Sequence, residues 1–536
     1  MPTVREVTHD VMRTLGLTTT FGNPGSTELP FLTRWPADFR YVLALQEASA
    51  VGMADGYALA SDRAAHVNLH TGPGMGNAMG NLETAFYNRA PLLVSVGQQV
   101  RPMLAVRPLL TNDSPLDLPR PYAKQVLEPA RAEDVPLLFQ QAWHLAMQAP
   151  RGPVVISIPM DDWDVETTAH EVRPERSWRS APDPRALAGW TRELGAAQRP
   201  ALVLGAGVDA SGGWDDAVAL AERLGAAVFT APNSSRCPFP ENHPLYQGQL
   251  PMAMGPLGER LGAFDVVLVA GAQVFLYYPH VPGPVVPPGT RLLHVTDDPL
   301  EAARAPVGES LVADPALTLA ALVESLPPGK PAVSPPRRPA PEAATPTSPI
   351  SPAWLFTCVA DALPEGTVLV EENTSARKVI HERIRVRRPD GYFTTGSGGL
   401  GYGLPAAVGV ALAHEEGDGA PVCLLIGDGS LHYSIQAFWT AATEQVPLVV
   451  VIADNGGYGI LKSFAEFLGQ RDGVPALDVP GLDHGAIAGG YGARVEHVTD
   501  ADALPKQLSE AFVRALQERC PVVVHVPVDA TVEPLL

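Results

Sequence analysis

Val422-Cys423-Leu424-Leu425-Ile426-Gly427-Asp428-Gly429-Ser430 is followed, one helix later, by Pro447-Leu448-Val449-Val450-Val451-Ile452-Ala453-Asp454-Asn455-Gly456-Gly457-Tyr458-Gly459, and the fold is read from this pair. Each half opens on a short, apolar, β-branched run, the pattern of a strand covered on both faces of a parallel sheet. Each run ends at an oxygen-bearing side chain, Asp428 or Asn455, and an open α/β sheet keeps its ligand crevice at those carboxyl ends. Mg²⁺ takes hard oxygen ligands and is usually completed by phosphate oxygens, so the pair suits a metal-diphosphate clamp. Gly429 permits close approach of an anion, and the pattern predicts a helix starting near Ser430 with free amides facing it. Asp-Gly alone is an ordinary cap, so the reading depends on both strand ends together.

The whole chain agrees with a large α/β protein. Its 536 residues suggest two to four domains, and 46% hydrophobic with 18% charged residues describe a compact globular chain. A net charge of −20 argues against nucleic acid or an anionic membrane as partner, and leaves an anionic cofactor to be held by a metal and local amides. Cys237, Cys358, Cys423 and Cys520 are scattered without ligand-like spacing, and the start has no apolar signal core. The expectation is a cytoplasmic protein with reduced thiols.

Two breaks divide the chain. Ten prolines between Pro327 and Pro352, with Lys330, Arg337 and Arg338, read as an extended linker over 327–352. A weaker polar stretch runs from Glu166 to Pro184. The expected units are a first α/β domain over 1–180, a central α/β domain over 185–326 and a last over 353–536. The outer two echo each other: Ala90 to Gly97 and Gly152 to Pro159 match Pro447 to Ala453 and Pro521 to Pro527. Strands are expected in the middle block at Ala201–Leu204, Ala226–Thr230, Asp265–Ala270 and Arg291–Val295. There Gly205-Ala206-Gly207-Val208-Asp209-Ala210 fits a loose dinucleotide fingerprint, but the acidic residue about twenty positions on is missing. A structural glycine turn is the simpler reading.

In the first block, Glu47 follows the strand Tyr41–Leu45 and precedes a small-residue helix from Ala48 through Ala60. A carboxylate there is either dipole-stabilised or, if poorly solvated, able to exchange a proton. Ser26, in the turn Phe21-Gly22-Asn23-Pro24-Gly25-Ser26, is read as a helix N-cap or a substrate contact. His70 ends the strand Ala65–Leu69 ahead of Thr71-Gly72-Pro73-Gly74-Met75-Gly76, read as a glycine loop without the Lys and Ser/Thr of a P-loop. A strand-end His is a candidate acid/base, because histidine is the side chain whose unperturbed charge change falls near neutral pH.

With these residues assembled, the chain resembles the thiamin-diphosphate-dependent 2-oxo-acid decarboxylases, the benzoylformate decarboxylases most closely. The likeness runs from Phe21–Pro30 and Leu43–Gly56 through Leu109–Arg120, Thr296–Gly308 and Gly398–Gly409 to the metal motif, where Asp454 replaces the first Asn of the family's pair. It implies three doubly wound open-sheet domains: pyrimidine-binding, central and diphosphate-binding. It implies thiamin diphosphate with Mg²⁺ (or Ca²⁺), the metal taking Asp428, Asn455 and the Gly457 carbonyl. Glu47 would activate the cofactor, and Ser26 and His70 would meet the substrate carboxylate and the carbonyl-derived oxygen. Gly398 would contact the aminopyrimidine and Leu400 would wedge the cofactor into its bent form. Thr374, Ser375, Gly429, Ser430 and Tyr458 would hold the diphosphate. The family's arrangement is a homotetramer with active sites between subunits.

Three positions depart from the likeness. Tyr278, with His280 two residues on, stands where a second catalytic His is expected, and Tyr relays protons less readily near neutrality. Thr394 replaces a pocket Phe and Ile460 a small Ala, while Leu109, Leu110, Leu461 and Phe464 keep the pocket apolar. The expected activity is non-oxidative decarboxylation of an aromatic or bulky 2-oxo acid to an aldehyde and carbon dioxide. Carboligation to 2-hydroxy ketones, a branched aliphatic substrate or a catalytically silent assembly subunit are the alternatives, and retention of Glu47, Asp428 and Asn455 together argues against the last.

Overall fold

A computed structural model describes all residues except 175–176, 328–334, 471–472, 532–533 and 536. Its frame is three six-stranded sheets, and every strand pairing among the described residues is parallel. The first contains β1 (Thr19–Asn23), β2 (Arg40–Leu43), β3 (Ala65–Leu69), β4 (Leu92–Gln98), β5 (Gln125–Leu127) and β6 (Val154–Pro159), in the order β2-β1-β3-β4-β6-β5. The second contains β7 (Pro200–Leu204), β8 (Ala227–Thr230), β9 (Tyr246–Gln249), β10 (Val266–Ala270), β11 (Arg291–Thr296) and β12 (Glu309–Val312), in the order β12-β11-β10-β7-β8-β9. The third contains β13 (Val368–Glu372), β14 (Tyr392–Thr394), β15 (Val422–Gly427), β16 (Leu448–Asp454), β17 (Arg494–His497) and β18 (Pro521–Pro527), in the order β14-β13-β15-β16-β18-β17.

The first and third sheets share one topology, and the echoed segments are their fourth and sixth strands, β4 with β16 and β6 with β18. In both, the strand order reverses between the first and third strands, and a crevice opens beyond the carboxyl ends at such a switch point. His70 follows β3 there in the first sheet. Asp428 follows β15 there in the third.

One hydrophobic cluster spans both outer sheets, because helix Glu47–Ser61 packs on helix Gly403–Glu416. Both are apolar around almost their whole circumference, as helices buried on all sides must be. Their backbones meet where side chains are missing: a Cβ on Gly409 would lie 1.9 Å from the Met53 carbonyl oxygen, and one on Gly56 would lie 2.2 Å from that of Ala406. Asp55 is fully buried in this contact, with Asn88 Nδ2 donating to both carboxylate oxygens at 3.1 and 3.3 Å. Burial pushes its pKa up to about 8. The folded chain thus holds a proton here that the unfolded chain releases near its ordinary carboxylate pKa, so this stability is full in acid and is lost as pH rises through about 8. Asp55→Asn is expected to raise the melting temperature at pH above about 8 and to flatten its decline between about pH 5 and pH 8, measured by calorimetry across that range.

The central sheet is tied to the third by buried polar contacts. Arg236 donates from Nε to Asp209 at 2.8 Å, pairs with Asp390, and lies 4.9 Å from the Phe393 ring centroid. Its link to the first block is Arg89 Nη2, which donates to Asp298 at 2.5 Å and Glu301 at 2.9 Å. The four strands expected in this block form, but β9 and β12 were not expected; they are short and partly polar. Added Cβ atoms on Gly205 and Gly207 would strike Ala272 and Gly271, so the fingerprint turn is filled by the chain's own backbone. Asp209 beside it is spent on Arg236.

Several local expectations need correction. Thr71 to Gly76 is no loop: it begins helix Thr71–Tyr87, where small residues let the helix press against the His70 and Glu47 side chains. Ser26 caps no helix, since the next one is the four-residue Leu29–Leu32 with Glu28 at its cap. The helix expected near Ser430 starts at Asp428 and stops at Leu431, too short to present much dipole. Part of the Pro-rich stretch lies outside the described residues. From Pro335 to Pro349 it has neither helix nor strand, and Pro352 already opens helix Pro352–Ala362.

Candidate active site

At the switch point of the first sheet, His70 is oriented by a carboxylate that sequence reasoning passed over. His70 Nδ1 lies 2.8 Å from Glu28 Oε2 and 3.1 Å from Thr27 Oγ1. Glu28 is buried, takes the Thr27 hydroxyl on Oε1 at 2.6 Å, and takes the Gly25 amide on Oε2 at 2.8 Å. An acceptor of this kind keeps the proton on Nδ1 and leaves Nε2 for the crevice. Gly25 makes the approach possible, because a Cβ there would sit 2.2 Å from His70 Nδ1. The next residue, buried Thr71, has φ 42°, a backbone strain of about 1–3 kcal/mol that tends to collect at functional sites. The one signal for Glu28 was an acidic residue close behind the Ser26 turn.

Ser26 is exposed on the same turn. Glu47, half-buried, begins helix Glu47–Ser61 and accepts from Asn77 Nδ2 at 3.1 Å. Among the described residues, no hydrogen bond or ion pair joins Glu47 to the third-sheet motif.

At the third sheet, Asp428 is 2% exposed and its Oδ2 is buried without a hydrogen-bond partner. Burial first, and the nearby Asp454 carboxylate second, push its pKa up to about 6. Such an atom wants a cation. Asn455 lies at the end of the adjacent strand, with its Oδ1 accepting from Gly457 N at 3.3 Å; the Gly457 carbonyl accepts from Gly459 N at 3.1 Å and keeps a second lone pair. Carboxylate, amide and carbonyl oxygens form a hard donor set that fits Mg²⁺ better than a soft metal. Ser375 Oγ accepts from Ile460 N at 3.1 Å and, with Asn455 and Gly459, lines a cavity of about 220 Å³. Thr374 is its half-buried neighbour, Ser430 is buried, and Tyr458 lies against Gly429, where a Cβ would come within 2.7 Å of the ring. Gly398 is exposed with φ 78°, and Leu400 is half-buried two residues on.

Known proteins carry the same architecture. Residues 2–113 match the thiamine pyrophosphate enzyme N-terminal TPP binding domain, 189–322 its central domain and 373–526 its C-terminal TPP binding domain. Benzoylformate decarboxylase of Pseudomonas aeruginosa is 44% identical over 544 residues, covering 100% of both chains. This chain belongs to the benzoylformate decarboxylase family of thiamine pyrophosphate enzymes. Two solved structures agree. Benzoylformate decarboxylase from Polynucleobacter necessarius superposes with a TM-score of 0.96 at 42% identity over 100% of each chain. The thiamine diphosphate-dependent 4-hydroxybenzoylformate decarboxylase of Rhodococcus jostii RHA1 gives 0.94 at 42% identity, covering 99% of this chain and 100% of that one.

The benzoylformate decarboxylase likeness places pocket residues that the structure only partly assembles. Tyr278, 60% exposed, packs its ring 4.8 Å from that of Phe464, bringing central and last blocks together beside Ile460 and Leu461. His280 is exposed and makes no hydrogen bond among the described residues. Thr394, which replaces the pocket Phe of the likeness, is 1% exposed in β14, donates its hydroxyl to the Glu371 carbonyl at 2.7 Å and accepts from Arg377 Nη2 at 3.0 Å. Leu109 is 86% exposed, and Leu110 has φ 64°, both in a loop away from regular structure.

Proposed function

We propose that this chain decarboxylates an aromatic 2-oxo acid, releasing carbon dioxide and the aldehyde, with thiamin diphosphate held through Mg²⁺ by Asp428, Asn455 and Gly457. The observation that carries the reading is the buried, unpartnered Asp428 Oδ2 at the third-sheet switch point, the place that the Glu28-oriented His70 holds in the first sheet. When bound, the cofactor supplies the carbon nucleophile for the keto group and takes up the electron pair left by carbon dioxide. Glu47 exchanges a proton with the aminopyrimidine. His70 Nε2 moves a proton at the carbonyl-derived oxygen, the Ser26 hydroxyl holds the substrate carboxylate, and Tyr278 faces the aryl group with Phe464. Thr374, Ser375, Ser430 and Tyr458 hold the diphosphate, and Gly398 and Leu400 seat the ring system.

The assembly proposed is a homotetramer in which Glu47 of one subunit meets the clamp of another. Leu29, Val106 and Leu109 are apolar side chains at 59, 73 and 86% exposure, which association would cover. The four free thiols suit a cytoplasmic setting. Carboligation follows if an aldehyde reaches the site before protonation ends the cycle. Release of carbon dioxide from a panel of aryl and branched 2-oxo acids, with and without thiamin diphosphate and Mg²⁺, tests the activity; turnover independent of both additions after their removal would refute it.

His70→Ala is expected to lower kcat by about 10²–10⁴-fold, the usual yield of a positioned acid/base. Glu28→Gln should cost less, about tenfold, since the His70 ring loses the carboxylate that fixes its tautomer and direction. Steady-state rates of the two variants, measured side by side, separate the two roles.

A further inference from the structure

Four histidines and one aspartate gather behind the clamp, and the decarboxylation chemistry uses none of them. Asp454 ends β16, His525 lies in the neighbouring β18, and His484 opens helix His484–Gly490. Asp454 Oδ2 lies 2.8 Å from His525 Nε2 and 3.6 Å from His484 Nε2, and all three donor atoms fall within 4.8 Å of one another. A tetrahedral ion about 2.0–2.1 Å from each donor keeps its donors about 3.3 Å apart, so the observed spacing brackets a ligand set. The side chains of His484 and His525 are 3% and 8% exposed, and that of Asp454 is 19% exposed.

The outer contacts match those of ligating imidazoles, which hand their second ring N–H to a further acceptor. His484 Nδ1 lies 2.8 Å from His432 Nε2, and His525 Nδ1 lies 3.0 Å from His497 Nδ1. The β17–β18 register sets His497 beside His525, and His432 follows directly on the short helix that begins at Asp428. With hydrogens on both Nδ1 atoms, both Nε2 lone pairs converge on Asp454 Oδ2. Asp454 Oδ1 is taken by the Gly456 amide at 3.0 Å, which fixes the carboxylate's direction.

We propose that Asp454, His484 and His525 form a binding site for one divalent transition ion of the zinc type, separate from the magnesium clamp. Two imidazoles and one carboxylate favour such an ion over Mg²⁺, which prefers oxygen donors alone. The ion bridges β16, β18 and helix His484–Gly490, and braces the turn in which Asn455 and Gly457 follow Asp454.

The test uses the full-length protein, stripped with a chelator and saturated with Mg²⁺, then titrated with Co²⁺ and Zn²⁺. One equivalent of Co²⁺ per chain is expected, with the visible absorption of a four- or five-coordinate ion, displaced by Zn²⁺, and with a raised melting temperature. His484→Gln and His525→Gln should each weaken binding by at least about tenfold, the lower end for loss of a support around a metal. Wild-type protein that shows only octahedral Co²⁺ absorption, or variants that bind as wild type does, would overturn the site and leave a hydrogen-bonded His–Asp brace. Wild-type Co²⁺ absorption decides the matter even if a variant fails to fold.

Discussion

Asp428→Ala is expected to yield a folded protein that no longer retains thiamin diphosphate and Mg²⁺, with decarboxylation lowered by at least about 10³-fold, or about 4 kcal/mol of lost transition-state stabilisation. The size follows from the donor set. Asp428 is the one anionic group among the three proposed ligands, and its Oδ2 has no hydrogen-bond partner to release when an ion arrives. The other two donors, an amide and a carbonyl, are neutral and cannot by themselves offset the dehydration of a small, strongly hydrated cation. The metal-free fold should not suffer. Burial and Asp454 push the Asp428 pKa up to about 6, so its stability contribution is full in acid and is lost as pH rises through that value. The uncharged replacement therefore melts no lower than the metal-free parent above about pH 6. Differential scanning calorimetry reads both arms. Wild type gains about 2.7 kcal/mol at a hundredfold excess of ligand over Kd, whereas Asp428→Ala gains nothing. Equal stabilisation of the two proteins would remove Asp428 from the clamp.

Glu47→Gln is expected to lower kcat by about 10²–10⁴-fold while cofactor retention and assembly stay as in wild type. The carboxylate begins a helix that is buried along most of its length, so its position is set by packing that the substitution leaves alone. Glutamine keeps the shape and can still accept from Asn77, but it has no proton to exchange. The calorimetric shift with Mg²⁺ and thiamin diphosphate, together with light scattering, separates this outcome from the Asp428 result: retention intact, turnover lost. Undiminished turnover would refute the role given to Glu47.

How much was legible in the sequence depended on how far each feature reaches along the chain. The strands carrying Asp428 and Asn455 were readable because buried parallel strands are short apolar runs and their carboxyl ends follow at once. The duplication was readable for the same reason: β4 and β16, like β6 and β18, occupy equal places in equal sheets and repeat one pattern. The region Thr71–Gly76 misled, since three glycines and a proline describe a loop by propensity, while the close contact of Gly74 with Glu47 and His70 goes with a helix whose first turns are glycine-rich. The surroundings of Thr394 were not legible, because its hydroxyl is claimed by Glu371, 23 residues away, and by Arg377, 17 residues away.

By itself, the sequence determined the three-sheet α/β architecture, the strand ends that bear the candidate ligands, and the family, because these depend on local period and short spacing. Only the tertiary structure decided that Glu28 orients His70 across 42 residues, that Asp55 is sealed between two helices, and that His484 and His525 meet Asp454. A parallel sheet sets side by side strands that crossover helices hold far apart along the chain. Which polar side chains converge is therefore fixed by register and helix packing, and neither leaves a periodic trace in the residues themselves.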